Sequence, residues 1–239
     1  MYTIEVSFSP VLYDYKLTRD NFITVIVDIL RATTSVCAAL EHGVSSVIPV
    51  AGVEIAKKYK KRGFLVACER DGKVPDFADM GNSPSDFLKE DYKGKEIVFS
   101  TTNGTQSVQK ARDSDLIVLG SFVNLSSLSE WIISREKNVV IFCAAWKNLF
   151  NLEDSVFAGA LTEKLLDSGK FVTQCDSARA AIDLWDHAKT DLFCYLSKSS
   201  HRNRLKHLVS DSDYQYTVTL DSTTVVPVLI EGHFENANH

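Results

Sequence analysis

The residues best suited to chemistry follow the first long apolar run of the chain. Asp28 comes directly after Phe22–Val27, a run rich in β-branched residues that predicts a strand buried on both faces. Arg31 and the hydroxyls of Thr33 and Thr34 come next, where a helical pattern begins. A carboxylate beside a cation, hydroxyls and free helix N–H groups suits a metal-bound phosphate. We expect Asp28 to bind Mg²⁺; a nucleophilic Asp28 that forms an aspartyl-phosphate is the alternative.

Other polar loops also follow apolar runs. Thr101, Thr102, Asn103 and Gly104 follow one such run, and Glu153 and Asp154 open a helix after another. Because ligands of open α/β sheets bind at the carboxyl ends of parallel strands, we expect these loops to converge. Asp28, Arg31 and Asp154 are the candidate catalytic residues. The candidate metal ligands are Asp28, Glu69, Asp79 and Asp154, and the cationic candidates for anion binding are Arg70, Lys147 and Arg202.

Each of these residues also has a purely structural explanation. Asp28 and the Ser/Thr pairs are favoured helix N-caps, and Arg31 could pair with Asp28. Acids such as Glu153 and Asp154 are expected in a first helical turn because they favour the helix dipole. The functional interpretation therefore depends on the expected convergence of the loops and not on any single residue.

Several phosphate-cleaving motifs are absent from the sequence. The Cys-x5-Arg loop fails because Val74 follows Cys68 at the required offset, and the two-aspartate dehalogenase signature fails because position 30 is Leu. No Gly-Lys-Ser/Thr ending marks a nucleotide-binding P-loop. The six histidines, including His201, form no recognisable motif.

Alternating strand and helix patterns must position these loops. Apolar runs separated by helical segments over residues 22–68 form a β-α-β-α-β series, which predicts a mainly parallel sheet. We expect one α/β domain over residues 1–239, a three-layer sandwich with a helical elaboration in the C-terminal third. There the pattern predicts a helix over 177–197, a shorter helix over 203–208, and strands over 216–220 and 224–230.

The composition narrows the class of protein. The chain has 239 residues and a net charge of −5, which disfavours a nucleic-acid partner. No apolar run is long enough to span a bilayer, the first residues do not resemble a signal peptide, and the five cysteines are widely scattered. We therefore expect a cytoplasmic protein with reduced thiols and a small-molecule ligand.

Four ordered blocks resemble the 2-phosphosulfolactate phosphatases of the ComB type. The blocks are residues 27–34, 81–84, 101–105 and 143–154, and the resemblance covers nearly the whole chain. It implies Mg²⁺-dependent hydrolysis of (R)-2-phospho-3-sulfolactate, a step of coenzyme M synthesis, by an α/β homodimer. It also adds Asn82 to the candidate substrate contacts, which otherwise are Thr33, Thr34, Arg70, Thr101, Thr102, Asn103, Gly104, Lys147 and Arg202.

The chain departs from that family at a few positions. Ala145 and Asn148 stand where glycines are usual around Trp146, and Asp71 replaces a usual glycine. The loop before residue 81 is one residue longer than usual. These changes alter loop shape and charge, so a phosphatase for another small phospho-acid, or a silent anion-binding protein, is the alternative function.

Overall fold

The computed structural model describes residues 1–70, 73–101, 104–206 and 210–237, and it is an α/β protein, as the sequence predicts. The strands are β1 (Tyr2–Ser7), β2 (Phe22–Val27), β3 (Ser46–Pro49), β4 (Leu65–Cys68), β5 (Glu96–Ser100), β6 (Leu116–Gly120), β7 (Asn138–Cys143), β8 (Phe171–Val172), β9 (Pro227–Ile230) and β10 (His233–Asn236). The α-helices are α1 (Pro10–Tyr13), α2 (Ala32–Glu41), α3 (Val53–Lys61), α4 (Gly104–Lys110), α5 (Leu125–Arg135), α6 (Leu152–Asp167), α7 (Asp176–Ala188), α8 (Leu192–Ser197), α9 (Ser200–Leu205) and α10 (Asp211–Thr217).

All these strands form one sheet in the order β4-β5-β3-β10-β9-β6-β2-β7-β1-β8. Most neighbouring strands are parallel, which confirms the predicted sheet type. The exceptions are the contacts of the hairpin formed by β9 and β10, which pair antiparallel with each other, with β3 and with β6. The hairpin therefore joins two parallel blocks.

The sheet is not parallel throughout, so parallel strands alone do not explain why the loops converge. Three antiparallel contacts in series reverse the β4-β5-β3 block relative to the block that contains β2 and β7. Five interstrand steps separate β2 from β5, and a twist of about 20–25° per step turns one block by roughly 100–125° relative to the other. The carboxyl ends of β2 and β5 lie near each other, since Thr33 and Thr101 line one small cavity. In the same region the Ser35 hydroxyl donates to the Asn82 carbonyl at 2.6 Å.

β2 supports the site from the middle of its block, and all six of its residues are buried. Alternate side chains point to opposite faces of the sheet. Val25 packs in a core with α5, α6 and α7, whereas Ile26 packs in a second core with α2 and with Phe99 of β5. On the other block, α3 and Val66 share a smaller core. Helices therefore cover both faces, consistent with the predicted three-layer arrangement.

The C-terminal third differs in detail from the predicted pattern. The expected helix over 177–197 is divided into α7 and α8, because Asp191 caps a new helix by accepting from the N–H of Cys194 at 2.9 Å. The shorter helix is α9, displaced toward the N-terminus. The strand predicted over 216–220 is wrong: α10, capped by Ser210, extends to Thr217, and residues 218–220 form a turn. β9 is shorter than predicted, and β8 and β10 are not predicted at all; near the N-terminus, α1 is not predicted either.

Gly159 sets the distance between α6, which carries Glu153 and Asp154, and α7. A Cβ at position 159 would lie 1.9 Å from the carbonyl oxygen of Ala181. We expect Gly159→Ala to destabilise the protein by about 3 kcal/mol or more, since two helix backbones must separate. Urea unfolding will measure this loss. Asp167→Ala, at an exposed position of the same helix, is the control, and equal stability of the two variants would contradict this close packing.

Two general features complete the fold. Across the described residues, no helix combines the length and the apolar character that crossing a membrane requires. All five cysteines are unpaired, and burial raises the pKa of the Cys143 thiol well above its usual value. Cys143 and the similarly buried Cys37 are therefore packing residues rather than nucleophiles.

Candidate functional site

The site is built around the turn from β2 to α2. The hydroxyl and the N–H of Thr33 each donate to the Asp28 carbonyl at 3.0 Å, which folds the turn back on itself. The Thr34 hydroxyl donates to the carbonyl of Ile29 at 2.9 Å and lies 2.7 Å from the Ser121 hydroxyl. Both threonines are buried, so these hydroxyls hold the turn in shape. Thr33 also lines a small cavity with Thr101, and the predicted substrate contacts of Thr33 and Thr34 stay predictions.

Asp154 joins the ends of two strands. Its Oδ1 accepts from the N–H of Ile29 at 2.9 Å, and its Oδ2 accepts from the N–H of Ala145 at 3.2 Å. Ile29 follows β2 and Ala145 follows β7, so the predicted meeting of Asp28 and Asp154 is seen in the structure. Burial raises the pKa of Asp154 well above its usual value, and the charges of Glu153 and Asp28 add to the effect.

Asp28 is buried in an excess of negative charge. Burial raises the pKa of Asp28 to about 6. The positive charge of His201 and the N–H of Ala32 lower this pKa, whereas Glu69 and Glu153 raise it. A carboxylate in such surroundings favours either a bound proton or a bound cation.

One residue of this cluster, His201, has no predicted role in the sequence, whereas its partner Glu153 was weighed there as an acid at a helix start. His201 Nδ1 lies 2.7 Å from Oε1 of Glu153, whose side chain is fully buried. Oε2 of Glu153 is also buried and has no hydrogen-bond partner among the described residues. The two acids at the start of α6 were the only local signal of this pair in the sequence. His201 lies on a short helix without a clear apolar period, so no local pattern marks it.

Arg31 is the buried cation beside Asp28. Its Nη1 donates to the Ser83 hydroxyl, which links the turn after β2 to the loop over residues 81–84. The Leu30–Arg31 peptide bond is cis. Burial lowers the pKa of Arg31, whereas the charges of Glu69 and Asp86 raise it; a guanidinium stays protonated throughout the working pH range. Arg31 is therefore a fixed positive charge at the site.

Asn82 and Arg202 each keep a buried polar atom without a partner. Oδ1 of Asn82 and Nη1 of Arg202 make no hydrogen bond to any described residue. Nη2 of Arg202 donates to Asp211 at 2.9 Å, and the guanidinium lies 4.3 Å from the centroid of the Tyr214 ring. Since buried polar atoms in proteins are nearly always satisfied, these two atoms are the best candidates for ligand contacts.

The loops after β4 and β5 are tied together by Arg70. Its guanidinium donates to the carbonyl of Ser100 at 3.0 Å and to the hydroxyl of the same residue at 2.8 Å. Arg70 is thus a structural link between strands, and Glu69 is half-buried beside it. Thr101 is buried at the end of β5, and Gly104 begins α4. The predicted contacts Thr102 and Asn103 lie outside the described residues.

Two predicted site residues lie in other surroundings. Asp79 accepts from the N–H of Val66 at 2.8 Å and pairs with Lys60 at 2.5 Å, so both of its carboxylate oxygens are occupied at the edge of β4. Lys147 is exposed, with its ammonium 4.7 Å from the centroid of the Trp146 ring. The structure thus engages Asp79 with Lys60 and places Lys147 at the surface, and their roles as metal ligand and substrate contact stay predictions.

The loop after β7 has an unusual backbone. Ala145 has a φ of +58° and Asn148 a φ of +64°, both in the left-handed region that favours glycine. These are the two positions at which glycine is usual in the family that the sequence resembles. The substitutions therefore preserve a loop shape that glycine adopts more easily, and they leave the Ala145 N–H bonded to Asp154.

Comparisons with known proteins agree with the resemblance seen in the sequence. A profile of the 2-phosphosulpholactate phosphatase family matches residues 9–232. A protein of Thermotoga petrophila named probable 2-phosphosulfolactate phosphatase is 39% identical over 88% of this chain and 90% of its own length. Proteins of the same name from Caldanaerobacter subterraneus subsp. tengcongensis and Prochlorococcus marinus are each 33% identical, over 92% and 94% of this chain and 91% and 96% of their own lengths.

Proposed function

Because the chain belongs to the 2-phosphosulfolactate phosphatase family, we propose that it hydrolyses (R)-2-phospho-3-sulfolactate to (R)-3-sulfolactate and phosphate. One observation carries this proposal beyond family membership. Buried carboxylates and the buried Arg31 meet where the ends of β2 and β7 approach the loop over residues 81–84. A phosphate monoester with a divalent cation needs both kinds of charge, whereas a plain anion-binding site gains nothing from the carboxylates.

The proposed cofactor is Mg²⁺, held by Asp28 together with Glu69 or Asp154. The raised pKa values of Asp28 and Asp154 support a cation here, because a divalent charge offsets their mutual repulsion. Among the described residues, no group of three or more His, Cys, Asp or Glu side chains has the spacing of a metal site. This fits Mg²⁺, which commonly takes one or two carboxylates and completes its shell with phosphate oxygens and water. Bound there, it would offset charge on the phosphoryl oxygens.

The two buried arginines have different proposed roles. Arg31, beside Asp28, binds the phosphoryl group and offsets the charge that develops on it. Arg202 approaches from α9 and binds the carboxylate or sulfonate of the substrate through its unpartnered Nη1. Asn82 offers a further polar contact from the loop over residues 81–84.

Replacing Arg202 tests the second of these roles. We expect Arg202→Gln to raise the KM for phosphosulfolactate by about 10- to 100-fold, because a charged hydrogen bond to the acid group is lost. The KM for ethyl phosphate, which lacks that group, should change much less. Arg204→Gln is the matched control, since Arg204 lies on the same helix but stacks on the Trp146 ring. Equal effects on both substrates would contradict the assignment.

Phosphate release, measured with and without Mg²⁺, tests the proposed activity itself. We expect Mg²⁺-dependent release from (R)-2-phospho-3-sulfolactate. Release only from another small phospho-acid would reassign the substrate and keep the chemistry. No release from any member of a panel of phospho-acids, at any divalent-ion concentration, would favour an anion-binding protein instead.

A further inference from the structure

A buried histidine–carboxylate pair lies next to Asp28 and has no role in the function proposed so far. His201 of α9 and Glu153 of α6 are 48 residues apart in sequence, yet their side chains meet at 2.7 Å. Glu153 is 0% exposed and His201 is 8% exposed. Glu153 is followed in α6 by Asp154, whose Oδ1 accepts from the N–H of Ile29, the residue after Asp28. These contacts place the imidazole beside the turn that carries Asp28.

The contact with Glu153 orients the imidazole. Nδ1 lies 2.7 Å from Oε1 of Glu153 and 3.4 Å from Nδ2 of Asn151, so both contacts of the ring with described residues are made by this nitrogen. Because the two ring nitrogens point in divergent directions, Nε2 is turned away from Glu153 and is left for another partner. A carboxylate that holds one nitrogen while the other handles protons is the arrangement found in catalytic histidines.

The stability of the fold does not by itself explain the buried His201–Glu153 pair. Removing two charged groups from water costs several kcal/mol per ion, and a buried ion pair offsets this only when its remaining polar atoms are satisfied. Here Oε2 of Glu153 has no partner among the described residues. A well-packed apolar pair would serve the fold at least as well, so a contribution to chemistry is the better explanation.

We propose that His201, oriented by Glu153, is the general acid that protonates the leaving oxygen of the substrate; this rests on the phosphatase function proposed above. As the bond between phosphorus and the ester oxygen breaks, the Nε2 proton moves to that oxygen, which leaves as the alcohol of sulfolactate. A water oxygen forms the new bond to phosphorus. One proton of this water passes to solvent, from which Nε2 is reprotonated, and the other stays on the product, hydrogen phosphate.

The leaving group of the substrate explains what a general acid would contribute. The alcohol of sulfolactate is a poor leaving group as an alkoxide, so its departure benefits from a proton donor. The p-nitrophenolate ion is stable near neutral pH and leaves without one. A general acid therefore accelerates cleavage of phosphosulfolactate and contributes little to cleavage of p-nitrophenyl phosphate.

Two substrates and two variants test the proposal. We expect His201→Gln to lower kcat for phosphosulfolactate by about 100-fold or more, with little change in KM, and to lower kcat for p-nitrophenyl phosphate by only a few-fold. The solvent deuterium isotope effect on phosphosulfolactate turnover should also disappear in His201→Gln. His187→Gln, at an exposed position of α7, is the control and should match the wild type.

A purely structural role gives a different result. Equal losses with the two substrates, an unchanged isotope effect, or a loss below about fivefold would overturn the proposal. Urea unfolding of His201→Gln will show whether a loss reflects misfolding, in which case Glu153→Gln provides the second comparison of leaving groups. If the wild-type protein does not cleave phosphosulfolactate, the proposed substrate fails first, and the comparison is repeated with whichever alkyl phosphate is cleaved.

Discussion

Replacing Asp28 with asparagine should lower kcat about 1000-fold and, at the same time, make the metal-free protein more stable. The loss of activity follows from the proposed role of the carboxylate in holding Mg²⁺. The gain in stability follows from its burial, because asparagine keeps the shape and can still accept from the N–H of Ala32 without carrying a charge. A residue that is kept at a cost to stability is typical of an active site.

The dependence of this gain on pH has a definite sign. An unfolded Asp has a pKa of about 3.9, whereas Asp28 in the folded protein has a pKa of about 6. Between these values the folded state holds the extra proton, so stability falls as the pH rises from 4 through 6. At pH 8 the charged Asp28 carboxylate lowers the free energy of unfolding by about 1 to 3 kcal/mol, and Asp28→Asn should recover this amount. At pH 4 the two proteins should be nearly equal in stability.

Urea unfolding in EDTA at pH 4 and pH 8 will measure the stability gain of Asp28→Asn and its dependence on pH. Asp167→Asn, at an exposed position of α6, is the control. Added Mg²⁺ should stabilise the wild-type protein and leave Asp28→Asn unaffected. An Asp28→Asn protein that is fully active, or that is less stable than the wild type at pH 8 in EDTA, would remove Asp28 from the proposed metal site.

Replacing Arg31 should produce the other large loss. We expect Arg31→Gln to lower kcat/KM about 1000-fold, since a buried guanidinium that stabilises a phosphoryl transition state contributes on that scale. Arg31→Lys should recover only part of the activity, because an ammonium cannot reproduce the planar geometry that reaches Ser83 and a phosphate together. Steady-state kinetics at saturating Mg²⁺ will measure both, with the exposed Arg179→Gln as the control. Wild-type activity of Arg31→Lys would contradict the assignment.

Much of the fold was predictable because its signals are local. β2 is a continuous apolar run that ends at Asp28, and such a run predicts a buried strand wherever it occurs. The C-terminal hairpin could not be predicted in the same way, since β10 contains His233, Glu235 and Asn236, and its place between β3 and β9 is set by distant contacts. The same hairpin reverses one block of the sheet, which no local pattern reveals.

The site shows the same division between local and distant information. Asp28 and Asp154 could be predicted because each follows an apolar run at a junction between strand and helix. The hydroxyls of Thr33 and Thr34 fit a phosphate site and a turn equally well by residue type, and only their hydrogen bonds show that they hold the turn. His201 could not be predicted, because its partner Glu153 is 48 residues away.

A crystal structure grown with Mg²⁺ and inorganic phosphate tests the central claim most directly. We expect a Mg²⁺ ion about 2.1 Å from an oxygen of Asp28, with a phosphate oxygen in its coordination shell and the guanidinium of Arg31 in contact with the same phosphate. A Mg²⁺ ion bound elsewhere, with the Asp28 carboxylate bonded only to the backbone of α2, would contradict the proposed site.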